Sequence, residues 1–219
     1  AFSSNEEAIE TLAASIEDAG YRNGEVAIAL DVAASEFGRE GRYTLALENR
    51  AYDTESWLRI LEGWVRRYPI VSVEDPVAED DVEGMRAFTS AVGARVQVIG
   101  DDYLVTDADR VRAAAADGAC NAVLLKPNQA GTITETVAAM RAAKGLGGGT
   151  IVSARSGETE DVAIAHLAVG WDAGQLKVGS FSRSERMAKW NEALRIESQM
   201  GSAARYAGRS ALSRSVGVA

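Results

Sequence analysis

Short apolar runs recur along this chain, and each ends in a charged or polar group. The central one is Ile70–Pro76, IVSVEDP, an apolar run closed by two acids and a proline. Its continuous apolar character predicts a buried parallel strand that stops at Glu74, with Asp75 and Pro76 turning the chain into a loop. Similar runs are Val26–Val32 (VAIALDV), Val96–Asp102 (VQVIGDD), Asn121–Pro127 (NAVLLKP), Thr150–Ser156 (TIVSARS) and Gln175–Gly179 (QLKVG). Between them the apolar spacing turns helical. A leading helix is expected from a cap at Ser3 or Ser4 to about Ala19, with Ala8, Ile9, Leu12, Ala13 and Ile16 on its apolar face. Further helices are expected over 54–67, 81–92, 107–116, 132–144, 158–169 and 183–200, and a small hairpin or ordered loop within 36–52. Tyr68-Pro69 breaks the second helix before the central strand.

Strands alternating with helices predict a parallel sheet with right-handed crossovers. The first strand runs into DVAASEF, with neither G-x-G-x-x-G nor a Walker pattern, which argues against an open nucleotide-binding sheet. A barrel places active groups from several strand ends on one rim, and this sequence has that order. The expected fold is therefore α/β, a TIM-type (β/α) barrel with six regular strand–helix units behind a leading helix. A closed barrel has eight strands, so the first strands are expected to lie outside this sequence. The barrel domain is assigned to 1–200 and a small, polar tail, ordered at most in part, to 201–219.

Bulk properties narrow the function classes. The 219 residues are 47% hydrophobic and 25% charged, as in an ordinary folded domain. A net charge of −9 without a basic stripe argues against nucleic acid. No apolar run reaches the roughly 18 residues of a membrane span, and AFSSNEEAIE is not a signal peptide. The single cysteine, Cys120, has no internal disulfide partner and is expected to pack as a small core residue in a cytoplasmic protein.

The strand ends carry the chemistry. In order they deliver Asp31, Glu74, Asp101, Lys126, Arg155 with Ser156, and Lys177. One strand-end acid more often caps a helix or pairs with arginine. Three on successive strands point instead to a shared hard cation, for which Mg2+ with oxygen ligands is the natural choice. A lysine near a metal and a second cation has its pKa lowered, which suits Lys126 to general-base work, with Lys177 the neighbouring cation. Arg155 and Ser156, followed by Gly157, can hold a phosphate through guanidinium, hydroxyl and backbone N–H groups.

The segments ALDVAASEF, YPIVSVEDP, GDD, LLKPNQAGT, ARSGETED and GQLKVGSFSRSER followed by KWNEALRIE resemble the enolase (phosphopyruvate hydratase) family over nearly the whole chain. The resemblance implies that Asp31, Glu74 and Asp101 ligate Mg2+ and that Lys126 takes the proton alpha to the substrate carboxylate. It implies that Lys177 neutralises that carboxylate and that Arg155 and Ser156 hold the phosphate and a second Mg2+. Asp102 and Gln129 are implied as supports. The implied reaction is a carbon–oxygen lyase step from 2-phosphoglycerate, a small anionic phospho-acid, to phosphoenolpyruvate.

Two features depart from the family pattern. The sequence begins at the second barrel helix, so a lid domain and its general acid are expected from a missing segment or a separate chain; a homodimer is a further expectation. Ala154 stands where the family has a histidine before the arginine, and alanine donates neither a hydrogen bond nor a proton. The alternatives are a relative acting on a related phospho- or phosphono-carboxylate, similar to carboxyphosphonoenolpyruvate synthase, or a non-catalytic binding protein. His166, the one histidine, is expected to be a packed or surface residue.

Overall fold

The computed structural model describes residues 2–22 and 24–212. The chain divides into two compact units, one built from Ala1–Tyr103 and Ala114–Asn121, the other from Leu104–Ala113 and Ala122–Arg214. Each carries three parallel strands.

In the first unit, helix α1 (Asn5–Asp18) starts at Ser4, whose side chain accepts from the Glu7 N–H, with Glu6 and Glu7 in the first turn. Of the expected apolar face only Ile9 is buried, and Leu12 is 48% exposed. Strand β1 (Ile28–Asp31) is followed by an antiparallel sheet of β2 (Gly38–Arg39), β3 (Arg42–Leu45) and β4 (Arg50–Asp53). The stretch that the alternation marked as a hairpin is therefore a three-stranded meander. Asp53 caps α2 (Thr54–Arg67) through the Ser56 N–H. Then come β5 (Ile70–Glu74), α3 (Val82–Val92) and β6 (Gln97–Gly100). β5 lies between β1 and β6, with Asp31 opposite Glu74 and Glu74 opposite Ile99.

An aromatic cluster secures the loop after β5. Trp57 and Tyr43, both fully buried, stack at 6.0 Å, and Phe37 meets them edge-on. The Trp57 indole N–H donates to the Pro76 carbonyl at 2.8 Å. The Tyr43 hydroxyl donates to Asp81 at 2.7 Å and accepts from the Ala78 N–H at 3.2 Å. Asp81 in turn caps α3 through the Gly84 N–H. Residues 76–81 are thus held from beneath by groups that α2 and the meander supply.

Helix α4 (Ala108–Ala116) precedes the second unit's strands β7 (Ala122–Leu125), β8 (Gly149–Ser153) and β9 (Gly174–Lys177). β8 lies between β7 and β9. β7 and β8 are wholly buried, as their apolar runs predict, whereas β9 is half-exposed. Between them lie the short helix α5 (Pro127–Ala130), α6 (Ile133–Gly145) capped by Thr132, and α7 (Ala163–Gly170). α8 (Ser184–Met200) follows β9, and two short 3-10 turns cover 201–203 and 208–211. The rest of the expected tail, 213–219, lies outside the described residues.

One helix is shorter than its sequence predicts. The expected start at Glu158 is displaced to Ala163, because acidic and hydroxyl side chains serve the backbone of 155–163 instead. Glu158 accepts from the Arg155 and Thr159 N–H groups, Thr159 from the Asp161 N–H, and Asp161 from the Ala163 N–H. No helix among the described residues is long and apolar enough to cross a membrane.

Candidate functional site

The acids of the first unit occupy the ends of its parallel strands. Asp31 closes β1 and is exposed, Glu74 closes β5 and is 3% exposed, and Asp101 follows β6 at 8%. Asp31 and Glu74 are register partners, so their Cα atoms are immediate neighbours across the sheet. Among the described residues, Asp75, Asp101 and Asp102 form a group of three carboxylates, each with an oxygen within 4.8 Å of the others. Of the expected metal trio this cluster includes Asp101 alone; Asp75 was read from sequence only as a turn residue.

Asp75 is 4% exposed and adopts a left-handed φ of 39°. One of its carboxylate oxygens accepts from the Asp101 N–H at 2.9 Å and the other from the Asp102 N–H at 2.7 Å. Burial pushes its carboxyl up to about 7. The two N–H donors oppose that rise, and the charges of Asp101 and Asp102 add to it. An all-carboxylate donor set fits a hard divalent cation such as Mg2+, so the residues of this unit suit the metal that the sequence implies.

The second unit carries the cations. Lys126 follows β7, is half-buried, and stands immediately before Pro127, the first residue of α5. Its backbone N–H donates to the Thr106 hydroxyl at 3.1 Å, and that hydroxyl donates to the Gln129 side-chain oxygen at 2.9 Å. The Leu124 carbonyl lies farther off, at 3.3 Å, and the hydroxyl has one proton to give. Thr106 is 2% exposed, and it and Val105 both have left-handed φ angles, 57° and 47°, unusual for β-branched residues. Thr106 therefore ties Gln129 to the base of Lys126, a link that no sequence signal announced.

Ala154 is buried, and its N–H donates to the Lys177 carbonyl at 2.9 Å. Next to it, the Arg155 guanidinium donates to the Asn128 side chain at 3.3 Å, and Ser156 is exposed. The loop bearing these two is pinned from behind by α8. Arg186 donates to the Ser156 carbonyl at 3.1 Å and to the Val178 carbonyl at 2.8 Å. Lys189, with a fully buried side chain, donates to the Thr159 carbonyl and lies 3.4 Å from Glu158. Burial raises the Glu158 pKa, but the Arg155 and Thr159 N–H groups and the Lys189 ammonium outweigh it. The net result lies below the usual glutamate range. Glu158 and Lys189 escaped notice in the sequence because both sat in stretches expected to be ordinary helix.

Two expectations concerned residues away from the strand ends. His166 is exposed on α7 and pairs with Glu192 of α8 at 2.9 Å. Cys120 is half-buried, and burial, with the Asp75 charge adding, pushes its thiol up to about 12.

The family described as enolase, C-terminal TIM barrel domain, matches residues 1–215.

Proposed function

The chain belongs to the enolase family, through its C-terminal TIM barrel domain, and from that premise we propose that it is a Mg2+-dependent lyase. The reaction we assign removes the proton alpha to a carboxylate and eliminates water from 2-phosphoglycerate to give phosphoenolpyruvate. The observation that carries this reading is the family match together with carboxylates ending three adjacent parallel strands, Asp31, Glu74 and Asp101.

An alpha proton beside a carboxylate is very weakly acidic, because its removal adds negative charge to a group already anionic. In the proposed mechanism Asp31, Glu74 and Asp101 would hold the cation, which would supply positive charge where that negative charge develops. Lys126 accepts the proton at its Nζ, and Lys177 neutralises the substrate carboxylate, favouring the transition state over the ground state. Arg155 and Ser156 bind the phosphate, and Asp102 and Gln129 support the groups beside them.

Ala154 favours a second reading. At that position the side chain can neither donate a proton nor bond a phosphate, so a relative acting on a related phospho- or phosphono-carboxylate is the alternative.

The test is direct. The protein, with whatever polypeptide naturally accompanies it, is mixed with Mg2+ and 2-phosphoglycerate, and the ultraviolet absorbance of the enol product is followed. Absorbance that grows with the wild type and is lost in Lys126→Ala supports the first reading. Exchange of the alpha proton without product supports the second, and absence of both overturns the two together.

A further inference from the structure

The turn that leaves β5 joins three strand ends through one residue. The Asp75 N–H donates to the Ile99 carbonyl at 3.0 Å, at the end of β6. The Asp75 carbonyl accepts from the Ala34 N–H at 3.1 Å, in the turn after β1. Its carboxylate accepts from two successive backbone N–H groups, those of Asp101 and Asp102. The left-handed φ of 39° that makes this possible is costly for a residue with a Cβ. Burying a third carboxylate within 4.8 Å of two others is costly as well.

The chemistry of the side chain explains why an acid stands there. Two N–H donors one residue apart require two acceptor atoms on one short side chain, and only a carboxylate of aspartate length offers both. Asparagine has a single acceptor, and its amide group would face the second N–H donor to donor. With both oxygens engaged, the backbone at Asp101 and Asp102 is fixed on one side. The side chain of Asp101 then projects from a rigid peptide rather than from a mobile loop.

We propose that Asp75 is a positioning residue that holds Asp101 ready for the divalent cation, and that it does not itself ligate the metal. The inference rests on the reading of Asp101 as a metal ligand. Removing a partner that orients a ligating group weakens metal binding without abolishing it.

The experiment uses Mn2+ alone as the probe, with residue-resolved amide hydrogen exchange as a second readout. In the wild type the Asp101 and Asp102 amides exchange slowly with no metal added. In Asp75→Asn at least one of them loses protection, and Mn2+ affinity falls by about 10- to 100-fold. Binding is compared well below the melting temperature of both proteins, where a purely structural defect leaves the affinity of the folded form unchanged. Asp75→Glu, which keeps the charge but not the reach, provides the same readouts should Asp75→Asn fail to fold. Unchanged affinity and protection in a folded variant overturn the inference. So does complete loss of Mn2+ binding, matching Asp101→Asn, because that behaviour belongs to a ligand. A wild type that binds no Mn2+ overturns the metal reading, and this inference falls with it. Wild-type Mn2+ affinity retained in the variant overturns the inference alone.

Discussion

Lys189 brings its ammonium, with none of its side chain exposed, to the Thr159 carbonyl and to within 3.4 Å of the Glu158 carboxylate. Glu158 in turn holds the N–H groups of Arg155 and Thr159. One lysine on α8 therefore fixes the loop that carries Arg155 and Ser156. Lys189→Met leaves Glu158 without its cation and the Thr159 carbonyl without its donor. Because Glu158 keeps some contact with water, the expected loss is about 2–4 kcal/mol, toward the lower part of the range for a broken buried pair. Urea denaturation at pH 7 measures it, and a loss below the error of extrapolation sinks the assignment.

The same carboxylate gives a pH dependence with a definite sign. Its folded pKa lies below the ordinary glutamate value of 4.5. A group depressed on folding contributes stability that is fully present above its unfolded pKa and is lost as pH falls through the folded one. The stability difference between wild type and Glu158→Gln is expected to be constant from pH 7 to roughly one unit above 4.5 and to shrink below that. Melts from pH 7 down to the onset of acid unfolding check the slope. A difference that grows toward acid contradicts the pairing.

Much of the architecture was legible in the sequence because each level of signal agreed. The apolar runs at 70–74, 97–100, 122–125 and 149–153 became buried strands, and Ser4, Asp53 and Thr132 cap the helices that their positions announce. Side-chain chemistry that competes with the backbone was the chief source of error. The run Glu158–Asp161 was expected to open a helix, yet its oxygens find N–H partners within their own loop. The candidate ligands Asp31, Glu74 and Asp101 were visible as acids at strand ends. Asp75 and Thr106 were not, because their roles lie in bonds to the backbone of other loops. Composition and spacing carry no trace of those bonds.

Tyr43 makes the link between the meander and the loop after β5 testable. Its hydroxyl donates to Asp81 and accepts from the Ala78 N–H, and its ring is fully buried against Trp57. Burial and the Asp81 carboxylate keep its phenol protonated well above the ordinary range. Tyr43→Phe preserves the ring and removes only the hydroxyl, so the Ala78 N–H loses its partner and Asp81 loses one donor while keeping Thr54. The expected cost is about 1–3 kcal/mol, the penalty of an unmet buried polar group. Thermal or chemical unfolding reads it, with near-ultraviolet circular dichroism reporting that the aromatic cluster survives.

Cys120 is expected to resist alkylation in the folded protein. Its thiol lies at about 12 against an ordinary value of 9.0, so the thiolate present at pH 8 falls by about three orders of magnitude. Iodoacetamide labelling followed by mass spectrometry compares the native chain with the chain in denaturant. Labelling at equal rates in both states contradicts the raised thiol pKa.

Ala154 separates the two functional readings by gain rather than loss. Its backbone is fixed by the bond to the Lys177 carbonyl, so a substitution there changes the side chain presented while that hydrogen bond is retained. If the natural reaction is elimination of water from 2-phosphoglycerate, Ala154→His restores a donor that the family pattern places before the arginine. Turnover is then expected to rise by about 100-fold, the lower end of what one positioned acid or base contributes. Mn2+ affinity should stay unchanged, because the carboxylates implied as ligands are untouched. If the natural substrate is instead a phosphono-carboxylate, the imidazole meets a different leaving group and 2-phosphoglycerate turnover stays at the wild-type level. Steady-state kinetics on both proteins decide between them, with a thermal melt of the variant establishing that the larger side chain is tolerated at a buried position.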